Sequence, residues 1–213
     1  MQDKKTFNFV KFVDNIWYHY KYVILLLIAA IIILSVLIFQ SVTQKQPDIF
    51  VYHISTEGLT ASSKDNFRNS MALIAEDYNG DGFVTVDLKE EVYVPASAEA
   101  YVQGGLSVTE SFNLELALGE CIIYIMDESF YNGNKQYMAD IEAAIGYLPD
   151  YAVENNAILL SDLPAYRKMP GLMDLPAESY VCIRERRTGM DEDAYNAHID
   201  YFKKLVEFVD YKQ

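Results

Sequence analysis

A run of oxygen-bearing side chains at alternate positions is the first feature of this sequence with the composition of a chemical site. Asp77, Asn79 and Asp81 occupy positions one, three and five of a D-x-N-x-D-G pattern, and Gly82 occupies position six. This is the first half of a calcium-binding loop, in which oxygens coordinate the ion and glycine makes the sharp turn. The second half departs from that pattern, because position twelve is Leu88 and not a bidentate Glu. Asn-Gly and Asp-Gly also form turns without any ion, so the run predicts either a calcium site or a structural turn.

Two acidic residues, Asp127 and Glu128, directly follow the apolar run Cys121–Met126. The run is continuously apolar, which is typical of a strand buried on both faces of a sheet. Because ligands of open α/β sheets bind at the carboxyl ends of the strands, Asp127 and Glu128 are candidate ligand-binding residues. The alternative is that both are solvated acids at the start of a helix, where the helix dipole favours negative charge.

Pairs of carboxylates could also serve as the general acid and base of a hydrolase. The two acids just described form one such pair, and Glu90 and Glu91 form another. Adjacent side chains on a strand point apart, however, and the sequence has no G-x-S-x-G, H-E-x-x-H, P-loop or G-x-G-x-x-G motif. His53 and His198 are the histidines left for general-base work outside the apolar N-terminal segment, and both are expected to pack against the sheet. A hydrolase is therefore the alternative and not the leading prediction.

The chain is organised around an eighteen-residue apolar run, Tyr22–Phe39, which contains no charged residue. As a helix it covers roughly 27 Å, enough to cross the hydrocarbon core of a bilayer with its flanking residues. The run is longer than the apolar region of a signal peptide, and no small-x-small cleavage site follows it, which favours a retained anchor. Four lysines precede the run, whereas the twenty residues after it contain only Lys45. This asymmetry predicts a cytoplasmic N-terminus and a C-terminal domain outside the plasma membrane.

Four segments follow from these features: a cytoplasmic tail (residues 1–21), a transmembrane helix (22–40), a tether (41–47) and an extracytoplasmic α/β domain (48–213). The tail has a net charge of +2 and the remainder a net charge of −16. An exterior domain this acidic is a poor candidate for binding nucleic acid or anionic lipid, because both carry like charge. Cys121 and Cys182 lie in predicted strands and are expected to be buried free thiols, although a disulfide is permitted outside the membrane.

Apolar, β-rich runs alternate along the chain with segments of helical periodicity. The predicted strands are residues 48–55, 83–94, 121–126 and 179–184; the predicted helices are residues 62–77, 96–103, 109–119, 135–146 and one that opens at 191–193. This alternation predicts the α/β class, a three-layer domain with a mostly parallel sheet and helices on both faces. Residues 147–178 contain four prolines and are predicted to be mostly loop, a candidate binding flap, with a short strand at residues 157–160.

Three pieces of the sequence carry a resemblance to a known family. They are the strand Ile49–Ser55 with the helix after it, the strand Val84–Asp87, and the run L-E-L-A-L-G-E at residues 114–120 that leads into Cys121–Asp127. The third piece is similar to an "L-x-A-x-L-A-x-G-x-A-D" helix-to-strand junction, and the whole resembles one lobe of the type II extracytoplasmic solute-binding proteins. The resemblance covers about half of the exterior domain. It implies the fold of a single lobe and carries over no ligand residue.

The leading functional prediction is a membrane-anchored, extracytoplasmic binding or interaction module that is not an enzyme. It would be an accessory component of a cell-envelope or transport assembly, with the bilayer and a membrane or envelope protein as partners. The alternatives are an envelope hydrolase that uses a carboxylate pair, and an adhesion domain steadied by calcium at Asp77, Asn79 and Asp81. No cofactor other than that calcium is expected.

Overall fold

The computed structural model describes residues 9–43, 46–93 and 107–209. The chain divides into two compact units, one up to Lys45 and one from Gln46 onward. The helix-prone residues 96–103 lie outside the described residues.

The first unit contains one helix, α1, which spans Phe9–Thr43 and is 35 residues long. Its stretch Trp17–Leu37 is long and apolar enough to cross a membrane, and none of that stretch is buried inside the structure. Those 21 residues cover about 31 Å at the helical rise of ~1.5 Å per residue. The Ser35 hydroxyl donates to the Ile31 carbonyl at 2.8 Å, so the most polar side chain of the apolar run is satisfied within the helix.

The second unit is built on a six-stranded sheet, counted over the residues described, which confirms the α/β class. Its strands are β1 (Ile49–Ser55), β2 (Val86–Val92), β3 (Ile123–Met126), β4 (Ala152–Glu154), β5 (Ala157–Leu159) and β6 (Tyr180–Ile183). The strand order is β2-β1-β3-β6-β5-β4. Strand β1 pairs in parallel with both β2 and β3, whereas the β3–β6, β6–β5 and β5–β4 pairs are antiparallel.

The prediction of a mostly parallel sheet is therefore correct for only half of the sheet, which is mixed. Parallel neighbours need a crossover connection of a dozen or more residues, usually containing a helix. The β1–β2 and β2–β3 connections have that length, and they contain α2 (Ala61–Ala72) and α3 (Val108–Leu118). Strands β4 and β5 are separated by only two residues, Asn155 and Asn156, so this pair must be antiparallel.

The remaining helices are α4 (Glu128–Asn134), α5 (Ile141–Ile145), α6 (Pro170–Met173) and α7 (Glu192–Val206), with 3-10 turns at Lys135–Tyr137 and Leu160–Asp162. Gly119 ends α3 in the left-handed conformation (φ 78°), as the sequence predicts. Ser62, the first residue of the predicted helix 62–77, is a candidate N-cap from its sequence, but in the structure Thr60 Oγ1 accepts the Ser63 N–H at 3.1 Å and caps α2. Helix α2 also ends at Ala72, earlier than predicted.

Two hydrophobic clusters lie on the two faces of the sheet and produce three layers. Alternate strand residues point to opposite faces: Val51 and Ile123 pack with Phe67 of α2 in one cluster, whereas Tyr124 packs with Phe112 of α3 in the other. All four residues of β3 are buried, as expected for a central strand. Cys121 and Cys182 are both buried and free, and burial raises the pKa of both thiols.

One prediction for the second half of the domain is wrong. The predicted helix 135–146 is interrupted at Met138, which forms an isolated antiparallel bridge with Arg184 beside β6. Residues 147–178 are mostly turns and loop, as predicted, and β5 confirms the predicted short strand. This segment also places Leu163 and Leu172 in the core.

Helix α6 lies against α2 without space for a side chain between them. A Cβ on Gly171 would be 2.4 Å from the Asn66 carbonyl oxygen and 2.5 Å from Phe67 Cα. The Gly171 N–H also donates to Ser70 Oγ at 3.0 Å. This close approach requires glycine at position 171.

Candidate functional site

The carboxyl ends of β1, β2 and β3 bring several polar side chains together. In the parallel register, His53 of β1 is opposite Glu90 of β2, and the Asp127 N–H at the end of β3 donates to the Ile54 carbonyl at 3.1 Å. The helix after β1 packs on one face of the sheet and the helix after β2 packs on the other. Connections that leave in opposite directions define a topological switch point, where ligands of open α/β sheets bind.

Asp127 is half-buried and has two different carboxylate oxygens. Oδ1 accepts the Tyr93 hydroxyl at 2.6 Å and the Phe130 N–H at 2.9 Å, so it caps α4. Oδ2 is buried and has no hydrogen-bond partner among the described residues. Burial and the bond to Asp127 raise the pKa of Tyr93 to about 12. Glu128, in contrast, is exposed on the first turn of α4. The two predicted ligand residues are therefore at the expected edge of the sheet, but in different environments.

His53 is fully buried, and neither ring nitrogen has a hydrogen-bond partner in the described part of the chain. Its Nδ1 lies 3.7 Å from Glu90 Oε1, beyond hydrogen-bond distance. Burial lowers the pKa of His53, against the opposing effect of Glu90. The imidazole is therefore held neutral at the carboxyl end of the central parallel strands, without a hydrogen-bond partner among the described residues.

Glu90 links the end of β2 to the start of α2. Its Oε1 accepts the Leu59 N–H and its Oε2 pairs with Lys64 Nζ, both at 2.6 Å. Burial by itself would raise the pKa of Glu90, but the bonds from Lys64 and Leu59 hold it below its usual value. Glu91 is opposite Ile54 in the register and therefore lies on the other face of the sheet from Glu90. There, burial is the main cause of the raised pKa of Tyr52, and the charge of Glu91 adds to it. Glu90 and Glu91 thus do not converge on a common point.

The predicted calcium loop lies at the opposite, amino ends of the parallel strands. Asp77 Oδ1 accepts the N–H groups of Gly80 (2.7 Å) and Asp81 (3.1 Å), and its Oδ2 accepts the Gly82 N–H (2.9 Å). Asn79 Oδ1 accepts the Asp81 N–H at 2.9 Å, and Asp81 Oδ1 in turn accepts a backbone N–H at 2.8 Å. Oxygens of all three predicted ligands therefore hold the turn together.

No group of three or more His, Cys, Asp or Glu side chains that could hold a metal ion occurs among the described residues. The calcium hypothesis also uses the amide oxygen of Asn79, and it stays a prediction.

Asp48 anchors this loop from the start of β1. Although only 6% exposed, its carboxylate accepts three backbone N–H groups: Tyr78 (2.8 Å) and Asn79 (3.1 Å) on Oδ1, and Thr85 (2.9 Å) on Oδ2. A buried carboxylate needs such donors to replace water. Asp48 is not among the site residues predicted from the sequence, although an acid directly before an apolar strand was a usable signal.

The group formed by His53, Glu90 and Lys64 was not predicted from the sequence. His53 was expected to face the sheet as an ordinary strand residue, and Glu90 was considered only as one of an adjacent acidic pair. A signal was present, since a histidine near the end of one apolar run and an acid at the end of another both mark the carboxyl ends of strands. Their proximity depends on strand order, which the sequence does not state.

A scan of protein-family models, a search of curated proteins and a search of solved structures each find no match for this chain.

Proposed function

We propose that this chain is a membrane-anchored, extracytoplasmic binding or interaction module, a non-enzymatic accessory component of a cell-envelope or transport assembly. The apolar stretch Trp17–Leu37 of α1 supports the anchor. The excess of lysine before this stretch supports a cytoplasmic N-terminus and a domain outside the plasma membrane. The resemblance to one lobe of type II extracytoplasmic solute-binding proteins is part of the same proposal.

The observation that carries the proposal is the unpartnered pair of polar groups at the switch point. Buried polar atoms nearly always have hydrogen-bond partners, and exceptions call for an explanation such as a ligand or a catalytic role. Among the described residues, both ring nitrogens of His53 and Oδ2 of Asp127 are such exceptions, and they lie at the same edge of the sheet. The other exceptions are single atoms of Tyr52, Tyr124, Ser179 and Arg184. Asp127 already caps α4 and Glu90 already pairs with Lys64. Because both carboxylates already make structural bonds, recognition of a partner at this edge is favoured over acid–base chemistry.

The first test is affinity capture of the tagged full-length chain from solubilised membranes, with partners identified by mass spectrometry. A stoichiometric membrane or envelope protein is the expected result. Extracellular protease should remove the domain from intact cells, and the residues before the apolar stretch should be protected. Capture of the chain alone, or a domain that is protected from outside, would reject this proposal.

A photo-crosslinking residue then locates the contact surface. Glu128 is exposed at the carboxyl end of β3, and Phe83 is half-exposed three residues before β2 begins, at the opposite end of the parallel strands. p-Benzoylphenylalanine at position 128 should crosslink to the captured partner, and the same residue at position 83 should not. Crosslinks from position 83 alone would place the partner at the amino ends and contradict the proposed site.

A further inference from the structure

A second region with the composition of a binding site lies outside the switch point. A shallow, open depression of about 770 Å³ is bounded on one side by the end of α4 and the 3-10 turn that follows it. The β4–β5 hairpin bounds it on the other side. Its volume is within the ~300–1,000 Å³ range of small-molecule sites. Eight residues line it: Asn132, Lys135, Gln136, Met138, Asp140, Glu154, Asn155 and Asn156. Four of these eight carry side-chain amides, so the lining is unusually rich in groups that both donate and accept hydrogen bonds.

Two of the lining side chains are fixed in place by their neighbours. Asn156 Oδ1 accepts the Tyr131 hydroxyl at 2.5 Å, and Asn156 Nδ2 donates to the Lys135 carbonyl at 2.9 Å. Glu154 receives Lys135 Nζ on both carboxylate oxygens, at 3.1 and 2.9 Å. Groups that are already ordered lose little conformational entropy when a ligand binds.

The amides of Asn132 and Asn155 are exposed and make no hydrogen bond to any residue that the structure describes. The Gln136 amide makes only one long bond, from Nε2 to the Gly133 carbonyl at 3.3 Å. These three side chains therefore have donors and acceptors available to a ligand.

The charges around the depression do not favour an ionic ligand. The Lys135 ammonium is neutralised by Glu154, and Asp140 uses Oδ1 to cap α5 through the Ala143 N–H at 3.0 Å. The lining has one basic and two acidic residues, which disfavours phosphates and acidic sugars. Met138 is the one apolar residue of the lining and is only 6% exposed, so the accessible part of the lining is mainly polar.

We propose that this depression binds carbohydrate composed of uncharged sugar units. Each sugar hydroxyl is both a donor and an acceptor, and each side-chain amide is its natural complement. The shallow, open form of the depression fits a chain of several sugar units lying across it. Because few groups would be fully desolvated, we expect a dissociation constant in the millimolar range. The proposed extracytoplasmic location would expose the depression to cell-surface glycans, but the binding itself does not depend on that location.

The test uses the full-length chain in lipid nanodiscs, because sugar-based detergents would compete. Saturation-transfer NMR is recorded with three probes: cellotriose, triacetylchitotriose and the acidic trigalacturonate. We expect saturation transfer to at least one of the two neutral trisaccharides and none to trigalacturonate. Binding only of N-acetylated sugar would assign the exocyclic amide as a recognised group, and binding of both would assign the hydroxyls.

The double variant Asn132→Ala/Asn155→Ala removes two of the available amides without touching the bonds of Asn156 or Glu154. Loss of two hydrogen bonds should weaken binding by about tenfold or more. Asn196→Ala is the matched control, because Asn196 is an exposed amide on α7 and is not part of the lining. Both variants should melt like the wild type, so that lost binding is not lost folding.

Absence of transfer to both neutral sugars, preferential transfer to trigalacturonate, or equal binding by the double variant would each overturn the proposal. Its failure is separable from failure of the proposed function. Capture of a partner with no sugar binding would leave the interaction module standing, and sugar binding without a captured partner would leave this site standing.

Discussion

The two ends of the parallel strands handle buried polar groups in opposite ways. At the amino ends, Asp48 is buried and both of its carboxylate oxygens are satisfied by backbone N–H groups. At the carboxyl ends, His53 is buried and neither ring nitrogen is satisfied within the described residues, as is also true of Asp127 Oδ2. The first arrangement stabilises the fold. The second costs stability, and a bound partner or ligand is one of the arrangements that would compensate for it.

Sequence composition does not separate these ends, because each has acids that follow or precede an apolar strand. The difference lies in the number of donors that the tertiary structure brings to each acid. It also implies different responses to mutation: removal of the satisfied Asp48 should lower stability, whereas removal of the unsatisfied His53 should not. The predictions below are ordered from the largest expected effect to the smallest.

Asp48→Ala should have the largest effect, because it leaves three backbone N–H groups without an acceptor. Buried unsatisfied groups of this kind predict a loss of roughly 3 kcal/mol in the free energy of unfolding. Chemical denaturation of the full-length chain, followed by near-ultraviolet circular dichroism, measures this loss. Asp48→Asn retains one carbonyl oxygen and should lose less. Equal stability of Asp48→Ala and wild type would remove the contrast between the two ends.

The two buried histidines provide a matched pair for the same comparison. His198 Nε2 accepts the Phe50 N–H at 2.9 Å, and its Nδ1 donates to the Ala194 carbonyl at 2.7 Å. His198→Leu should therefore cost about 1–3 kcal/mol, since it leaves the Phe50 N–H without its acceptor. His53→Leu removes only unpartnered nitrogens and should leave stability within about 1 kcal/mol of wild type, or raise it.

A loss at position 53 equal to the loss at position 198 would show that His53 has a hidden structural partner. The same His53→Leu chain should capture less of the proposed partner, which separates a binding role from a purely structural one.

The pH dependence of stability tests the protonation state of both histidines. Burial lowers the pKa of His53 and of His198 below the usual 6.5, so the unfolded chain binds more protons as the pH falls below 6.5. Their contribution to stability is complete above pH 6.5 and is lost progressively below it, by up to about 1.4 kcal/mol per pH unit for each imidazole. The pKa values of Glu90 and Glu115 are also lowered, but from 4.5. Their contribution to stability is therefore lost only below about pH 4.5, outside the range of this test.

Denaturation midpoints between pH 7 and pH 5 measure this loss, and the slope should be smaller in His53→Leu. An unchanged slope would indicate that His53 does not titrate in this range.

Calcium should have the smallest effect. The oxygens of Asp77, Asn79 and Asp81 already accept five backbone N–H bonds in the turn. On the structural-turn interpretation, excess calcium and excess chelator should give the same melting temperature, within the error of a differential scanning measurement. A calcium-dependent rise that Asp81→Ala abolishes would support the calcium site instead.

Several elements followed from the sequence because their signals are local. The apolar run without charge predicts the long N-terminal helix, Gly119 ends α3, and the continuously apolar Ile123–Met126 is the buried central strand. Position 127 was also recognised as the end of that strand. Where local signals compete with packing, the prediction failed: residues 135–146 break at Met138, which pairs with Arg184.

What the sequence alone determined is therefore the helix able to span a membrane, the α/β class and the acidic character of the second unit. These depend on composition and on periods of a few residues, which any reader of the chain can measure. The tertiary structure decided the mixed strand order, the joining of His53 with Glu90 and Asp127, and the satisfaction of Asp48. These depend on which segments pair across 30 or more residues, and a strand's own sequence does not specify its neighbour.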